Sequence, residues 1–187
     1  MGLLWWDDVH ARIGTGQIMR IDGDASSRVL TREQAAAFAV SLRASGKTVV
    51  FTNGVFDILH PGHVRYLEVA RDLGDALILG LNADVSVRRN KGPERPINSE
   101  AERAEVLAGL QSVDAVVVFD EDTPDAIVKT VQPDILVKGA DWPADQIVGR
   151  DTVEARGGRV VLVPIEHGHS TTTIVERVRR GSRPASG

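Results

Sequence analysis

The chain has 187 residues, 42% of them hydrophobic, which suits one globular domain with a sizeable core and excludes a disordered protein. A formal net charge of −4 and a pI near 5.7 leave no electrostatic footprint for a nucleic-acid backbone, so nucleic acid is not an expected partner. Cysteine is absent, which rules out a disulfide framework, a thiolate zinc site and a cysteine nucleophile.

The opening, Met1 to Asp8, lacks a basic region before its four-residue apolar run, so no signal peptide is expected. No stretch approaches the roughly 18 apolar residues of a membrane span, and the expected location is cytoplasmic with no membrane partner. Residues 1–28 read as an N-terminal helical arm. Its Trp5 and Trp6 are suited to covering an apolar surface of the main domain or of a second subunit. Residues 29–182 read as the main domain and 183–187 as a flexible tail.

Thr31 with Gln34 forms a capping box that opens an Ala- and Leu-rich helix running to Ser45 and stopped by Gly46. Five strands are predicted in the runs Thr48–Thr52, Ala76–Leu81, Ala115–Phe119, Asp134–Val137 and Arg159–Pro164. Their continuous apolar character implies burial on both faces, as in a parallel sheet. Helical patterns fall between them at Gly62–Leu73, at Ser99–Leu110 with Ser99 and Glu102 as a second capping box, and at Pro124–Val131. This alternation predicts an α/β, doubly wound, mainly parallel five-stranded sheet, whose ligands sit beyond the carboxyl ends of the strands.

The densest chemistry follows the first of those strands, in Thr52-Asn53-Gly54-Val55-Phe56-Asp57-Ile58-Leu59-His60-Pro61-Gly62-His63. Pro61 suits a first helical position, which turns the amides of Gly62 and His63 toward an incoming anion. Gly62 allows close approach of a phosphate to the backbone. His60 and His63, three residues apart, share a helix face and can donate to the same phosphate oxygens. Two surface histidines or two zinc ligands are the alternatives; His167 and His169 are distant in sequence, and no thiol assists a metal.

The run from Gly54 to His63 resembles the nucleotidylyltransferase superfamily signature. Within that superfamily Phe51–Gly54, Leu81–Asp84, Lys91–Asn98, Asp134–Asp141 and Ser170–Ile174 resemble the adenylyltransferase domain of ADP-heptose synthesis enzymes, in its stand-alone form. The likeness covers about residues 47–180 and implies a Rossmann-like nucleotidyltransferase fold. It departs at Val55, where the heptose enzymes often carry cysteine, and at His169, where cysteine or isoleucine is commoner. The implied reaction moves AMP from ATP to a sugar 1-phosphate, D-glycero-β-D-manno-heptose 1-phosphate, with Mg²⁺ accompanying ATP and no metal ligand assigned. Relatives are often dimers, so a homodimer is expected.

On that resemblance His60, His63, Lys91 and Lys138 are catalytic. Thr52, Asn53, Gly54, Phe56, Asp57, Gly62, Lys138, Gly139, Asp141, Ser170, Thr171 and Thr172 bind the nucleotide. Asn82, Asp84, Arg88 and Arg103 bind the second substrate. Alternatives stand beside several of these. Arg88, Arg89 and Lys91 read as a basic loop that would close over phosphates or only solvate the surface. Asp84 reads equally as a helix cap, Arg103 as a plain helix-surface arginine, and Asp57 as a magnesium ligand or a brace for a histidine. Two other functions stay open: CTP-dependent cytidylyl transfer to glycerol 3-phosphate or a similar alcohol phosphate, and a nucleotide-binding regulator without turnover.

Overall fold

A computed structural model describes residue 21 and residues 24–140, 146–164 and 170–181. Trp5, Trp6, Asp141, His167 and His169 lie outside the described residues. Six parallel strands form one sheet: β1 (Val29–Leu30), β2 (Val49–Gly54), β3 (Ala76–Asn82), β4 (Ala115–Phe119), β5 (Ile135–Gly139) and β6 (Arg159–Val163), in the spatial order β1-β4-β3-β2-β5-β6. The expected strands are all present, and the sixth, β1, is an addition of two residues whose Val29 and Leu30 pair with Val116 and Val117. A strand that short leaves no periodic signal and exists because β4 offers it an edge.

The helices are α1 (Arg32–Ala44), α2 (Pro61–Asp72), α3 (Asp84–Lys91), α4 (Glu100–Gly109), α5 (Asp125–Val131), α6 (Arg150–Glu154) and α7 (Thr171–Gly181). Both expected capping boxes form, Thr31 with Gln34 and Ser99 with Glu102. Alternate residues of each strand face opposite layers. Val49, Phe51, Ile78 and Val117 meet Ala39 and Leu42 of α1 and Ile127 and Val131 of α5. Val50, Leu77, Leu79 and Val116 meet Leu67 of α2 and Leu107 of α4. Covering both faces explains the unbroken apolar runs in the strands.

At the amino-terminal edge of the sheet, carboxylates hold the strand starts. Asp75 accepts from Thr48 N, Asp134 from Val49 N and Asp114 from Leu77 N, each at 2.8 Å. The opposite edge is left for ligands. From β2 the chain steps to β3 and β4 on one side, then returns to β5 and β6 on the other. This reversal opens a crevice between the carboxyl ends of β2 and β5, the usual ligand position in such sheets.

Candidate active site

The last residues of β2 and β5 line the crevice. Thr52 is fully buried; its hydroxyl donates to Val137 O at 3.0 Å and lies 2.7 Å from the Tyr66 hydroxyl, so it ties β2 to β5 and α2. Next to it, Asn53 Oδ1 accepts a hydrogen bond from Lys138 Nζ across the crevice. Burial pushes the Lys138 ammonium down to about 8. Gly139 ends β5 beside it.

Gly54 is glycine because of its neighbour: a Cβ there would come within 2.8 Å of the Phe56 ring. Phe56 takes φ 45°, uncommon for a bulky residue, and is 7% exposed. Its ring meets His63 edge-on with centroids 5.1 Å apart. Phe56, expected at the nucleotide, buttresses the histidine.

His60 caps α2. Its Nδ1 accepts from His63 N at 3.3 Å, which places its own ring proton on Nε2, and Pro61 fills the first helical position. The two imidazoles stack with centroids 3.7 Å apart and planes 18° from parallel. His63 is pushed down to about 4, first by burial, then by the charges of His60 and Lys91, so it is neutral at pH 7. The His63 amide bonds back to His60, leaving that of Gly62 at the second helical position without an intrahelical acceptor.

A second helix end arrives at the same loop. Thr171, at the start of α7, accepts from Ile58 N at 3.4 Å, and Ser170 caps the helix by accepting from Thr173 N at 3.1 Å. Thr172 stands exposed beside them. The positive ends of the α2 and α7 dipoles therefore converge on residues 58–62, an arrangement that attracts anions.

The basic residues divide. They are not in a loop: Arg88, Arg89 and Lys91 belong to α3. Arg88 lies 3.7 Å from Asp84, and Arg89 pairs with Asp122 at 2.7 Å and donates to Asp120 O. Lys91 ends the helix, exposed, close enough for its charge to act on His63.

Arg103 is not a helix-surface arginine. Its side chain is 1% exposed. It donates to Asn98 O at 3.0 Å, Val55 O at 2.6 Å, Asn82 O at 3.0 Å and Asp84 Oδ1 at 2.7 Å. Asp84 caps nothing with its side chain; α3 has Ala83 at the cap position, and the Asp84 carboxylate is held by Arg103. Asn82 supplies a carbonyl to Arg103 and an amide to Ser86 Oγ at 3.4 Å. Asp57 braces neither histidine: its Oδ1 accepts from Ile97 N and Asn98 N, and its Oδ2 lies 2.7 Å from Arg95 Nε, an off-axis charge contact rather than a hydrogen bond. Arg95 and Asn98 went unassigned from sequence, although both fall in the Lys91–Asn98 stretch that carried the resemblance. Among the described residues no group of three His, Cys, Asp or Glu could hold a metal ion, and no helix is long and apolar enough to cross a membrane.

The family model described as cytidylyltransferase-like matches residues 51–177, which contain every element of this site. Bifunctional protein HldE of Syntrophotalea carbinolica is 56% identical over 152 residues, covering 81% of this chain and 31% of that protein. HldE of Mesorhizobium japonicum is 52% identical over 170 residues, covering 90% of this chain and 34% of that one. The chain therefore spans about a third of the length of these curated relatives. Among solved structures, the lipopolysaccharide core biosynthesis protein of Thermoplasma volcanium is 35% identical with a TM-score of 0.54, covering 65% of this chain and 98% of that one. Pantoate-beta-alanine ligase of Francisella tularensis shares the fold at 14% identity and a TM-score of 0.54, covering 74% of this chain and 68% of the ligase. By the crevice, the paired histidines and this match over most of its length, the chain belongs to the cytidylyltransferase-like family.

Proposed function

We propose that the chain transfers AMP from ATP to a sugar 1-phosphate, D-glycero-β-D-manno-heptose 1-phosphate, releasing pyrophosphate. The observation that carries this reading is the stacked His60–His63 pair at the start of α2, on the same sheet edge as the buried Lys138 of β5. The relatives named HldE and the likeness to a lipopolysaccharide core biosynthesis protein support the choice of a heptose.

In the reaction a phosphate oxygen of the sugar attacks the α-phosphorus of ATP in line, and the bond to the β-bridging oxygen breaks. The nucleophile is already ionised at pH 7, so alignment and charge stabilisation, rather than a strong base, set the rate. His60 offers Nε2–H, and His63 is the second imidazole donor to the α-phosphate oxygens. Lys138 and Lys91 supply positive charge on either side, and the α2 and α7 amino-termini hold the β- and γ-phosphates. Both Asp57 oxygens are engaged by Arg95 and by backbone amides, so this carboxylate does not fit a cation site, and magnesium enters with ATP as part of the substrate.

The test is pyrophosphate release with ATP or CTP crossed against heptose 1-phosphate and glycerol 3-phosphate. Turnover is expected only with ATP and the heptose phosphate, and His63→Ala should cut it by roughly 100- to 1000-fold. Turnover with CTP and glycerol 3-phosphate would make the protein a cytidylyltransferase. Nucleotide binding with no pyrophosphate release from any pair would make it a regulator.

A further inference from the structure

Of the three cations on α3, two are spent on carboxylates, Arg88 on Asp84 and Arg89 on Asp122. Lys91, at the end of the helix and exposed, needs another means of being aimed. The turn that follows it supplies one. Gly92 N donates to Arg88 O at 3.0 Å and Arg95 N to Gly92 O at 3.1 Å, so Lys91 and Arg95 belong to one compact corner. That corner is fastened to the histidine loop through Asp57, whose side chain is 1% exposed. Asp57 Oδ1 accepts from Ile97 N at 2.7 Å and Asn98 N at 3.1 Å. Asp57 O accepts from Asn98 Nδ2 at 2.8 Å, and Arg95, its side chain 17% exposed, sets Nε 2.7 Å from Oδ2. Arg103 grips both sides of the joint, through Asn98 O and Val55 O.

We propose that Asp57 and Arg95 are a positioning pair for Lys91: their ion pair holds the 92–98 turn against the histidine loop, so that the ammonium ending α3 faces His63 and the phosphate being transferred. The role of Lys91 in this pairing rests on the nucleotidyl-transfer reading. Asp57 and Arg95 act through the lysine and touch no substrate. The contacts of the Asp57 carboxylate, two hydrogen bonds at Oδ1 and the charge contact at Oδ2, all go to a single segment four to seven residues beyond Lys91, which is what a fastening requires.

The experiment uses the full chain with Arg95→Met, Lys91→Met, the double variant and Arg95→Lys. The first readout needs no turnover: the His63 imidazole is titrated by NMR in the ligand-free protein. Because the Lys91 charge helps keep His63 low, Lys91→Met should raise its pKa. Arg95→Met should raise it as well, and should add nothing in the Lys91→Met background. The second readout is kcat for pyrophosphate release. A misplaced catalytic group costs on the order of 100-fold, so Arg95→Met should lose about that much. Arg95→Lys should recover most of it, and the double variant should be no worse than Lys91→Met alone. An unchanged His63 titration in folded Arg95→Met, or losses that multiply in the double variant, would overturn the pairing. If Arg95→Met does not fold, Asp57→Asn, which keeps an acceptor for the Ile97 and Asn98 amides, runs the same cycle. Absence of turnover in the unaltered chain would sink the transfer reading, while the titration would still decide the pairing.

Discussion

Replacing Arg103 with methionine tests whether this residue organises the site or binds in it. The guanidinium is 1% exposed and serves three backbone carbonyls and the Asp84 carboxylate. Methionine fills similar space and donates nothing. Removing one member of a buried ion pair costs about 3–5 kcal/mol, largely from the charge left behind. Here Asp84 keeps Arg88 at 3.7 Å and is 18% exposed, which pulls toward the low end. The carbonyls of Val55, Asn82 and Asn98 each lose a donor, which pulls back up. At 2–4 °C per kcal/mol for a chain of this size, the melting temperature should fall by roughly 6–20 °C. The assay is thermal unfolding by circular dichroism, with nucleotide binding measured by calorimetry well below the transition. A variant that melts with the parent yet has lost a substrate would refute the reasoning and return Arg103 to the ligand.

Three further outcomes are expected. Lys138 titrates near 8 and is useful as a cation, so kcat/KM for pyrophosphate release should fall as pH rises through about 8, and Lys138→Arg should move that fall upward; a flat profile would count against the role. His63 is held at about 4 against 6.5 in the unfolded chain, so the unfolded state takes up its proton first. Its contribution to stability is full above pH 6.5 and is lost as pH falls toward 4, and His63→Gln should flatten that part of a urea-midpoint series. Thr31→Ala removes one half of the α1 capping box and should cost about 1 kcal/mol in chemical denaturation while leaving pyrophosphate release unchanged, since α1 packs beneath the sheet away from the crevice.

The strands were legible because a strand covered on both faces has no polar alternation to hide it, and the capping boxes marked α1 and α4 because those bonds are local. Helix α3 was not legible. Its Asp-Val-Ser-Val-Arg-Arg-Asn-Lys sequence contains two β-branched residues, a serine and an asparagine, and its N-cap residue is alanine. It is helical because Arg103 grips its first residue and Asp122 its arginine, partners 19 and 33 positions away. The site shows the same division. Motif order placed Asp57, Asp84 and Arg103 at the ligand edge, but whether a charged side chain faces a ligand or another side chain depends on residues brought in by the fold. Asp57 meets Arg95, and Arg103 meets Asp84, across turns that no spacing rule connects.

The partner of Lys138 is an amide, and that chemistry sets the charge of the crevice. A carboxylate at position 53 would close an ion pair and make the pocket nearly self-neutral, so an arriving triphosphate would have to break it. Asparagine holds the ammonium in place through a single acceptor oxygen and leaves the full positive charge unspent. On the proposed function, binding exchanges a neutral partner for a charged one, with Asn53 holding the cation in place beforehand.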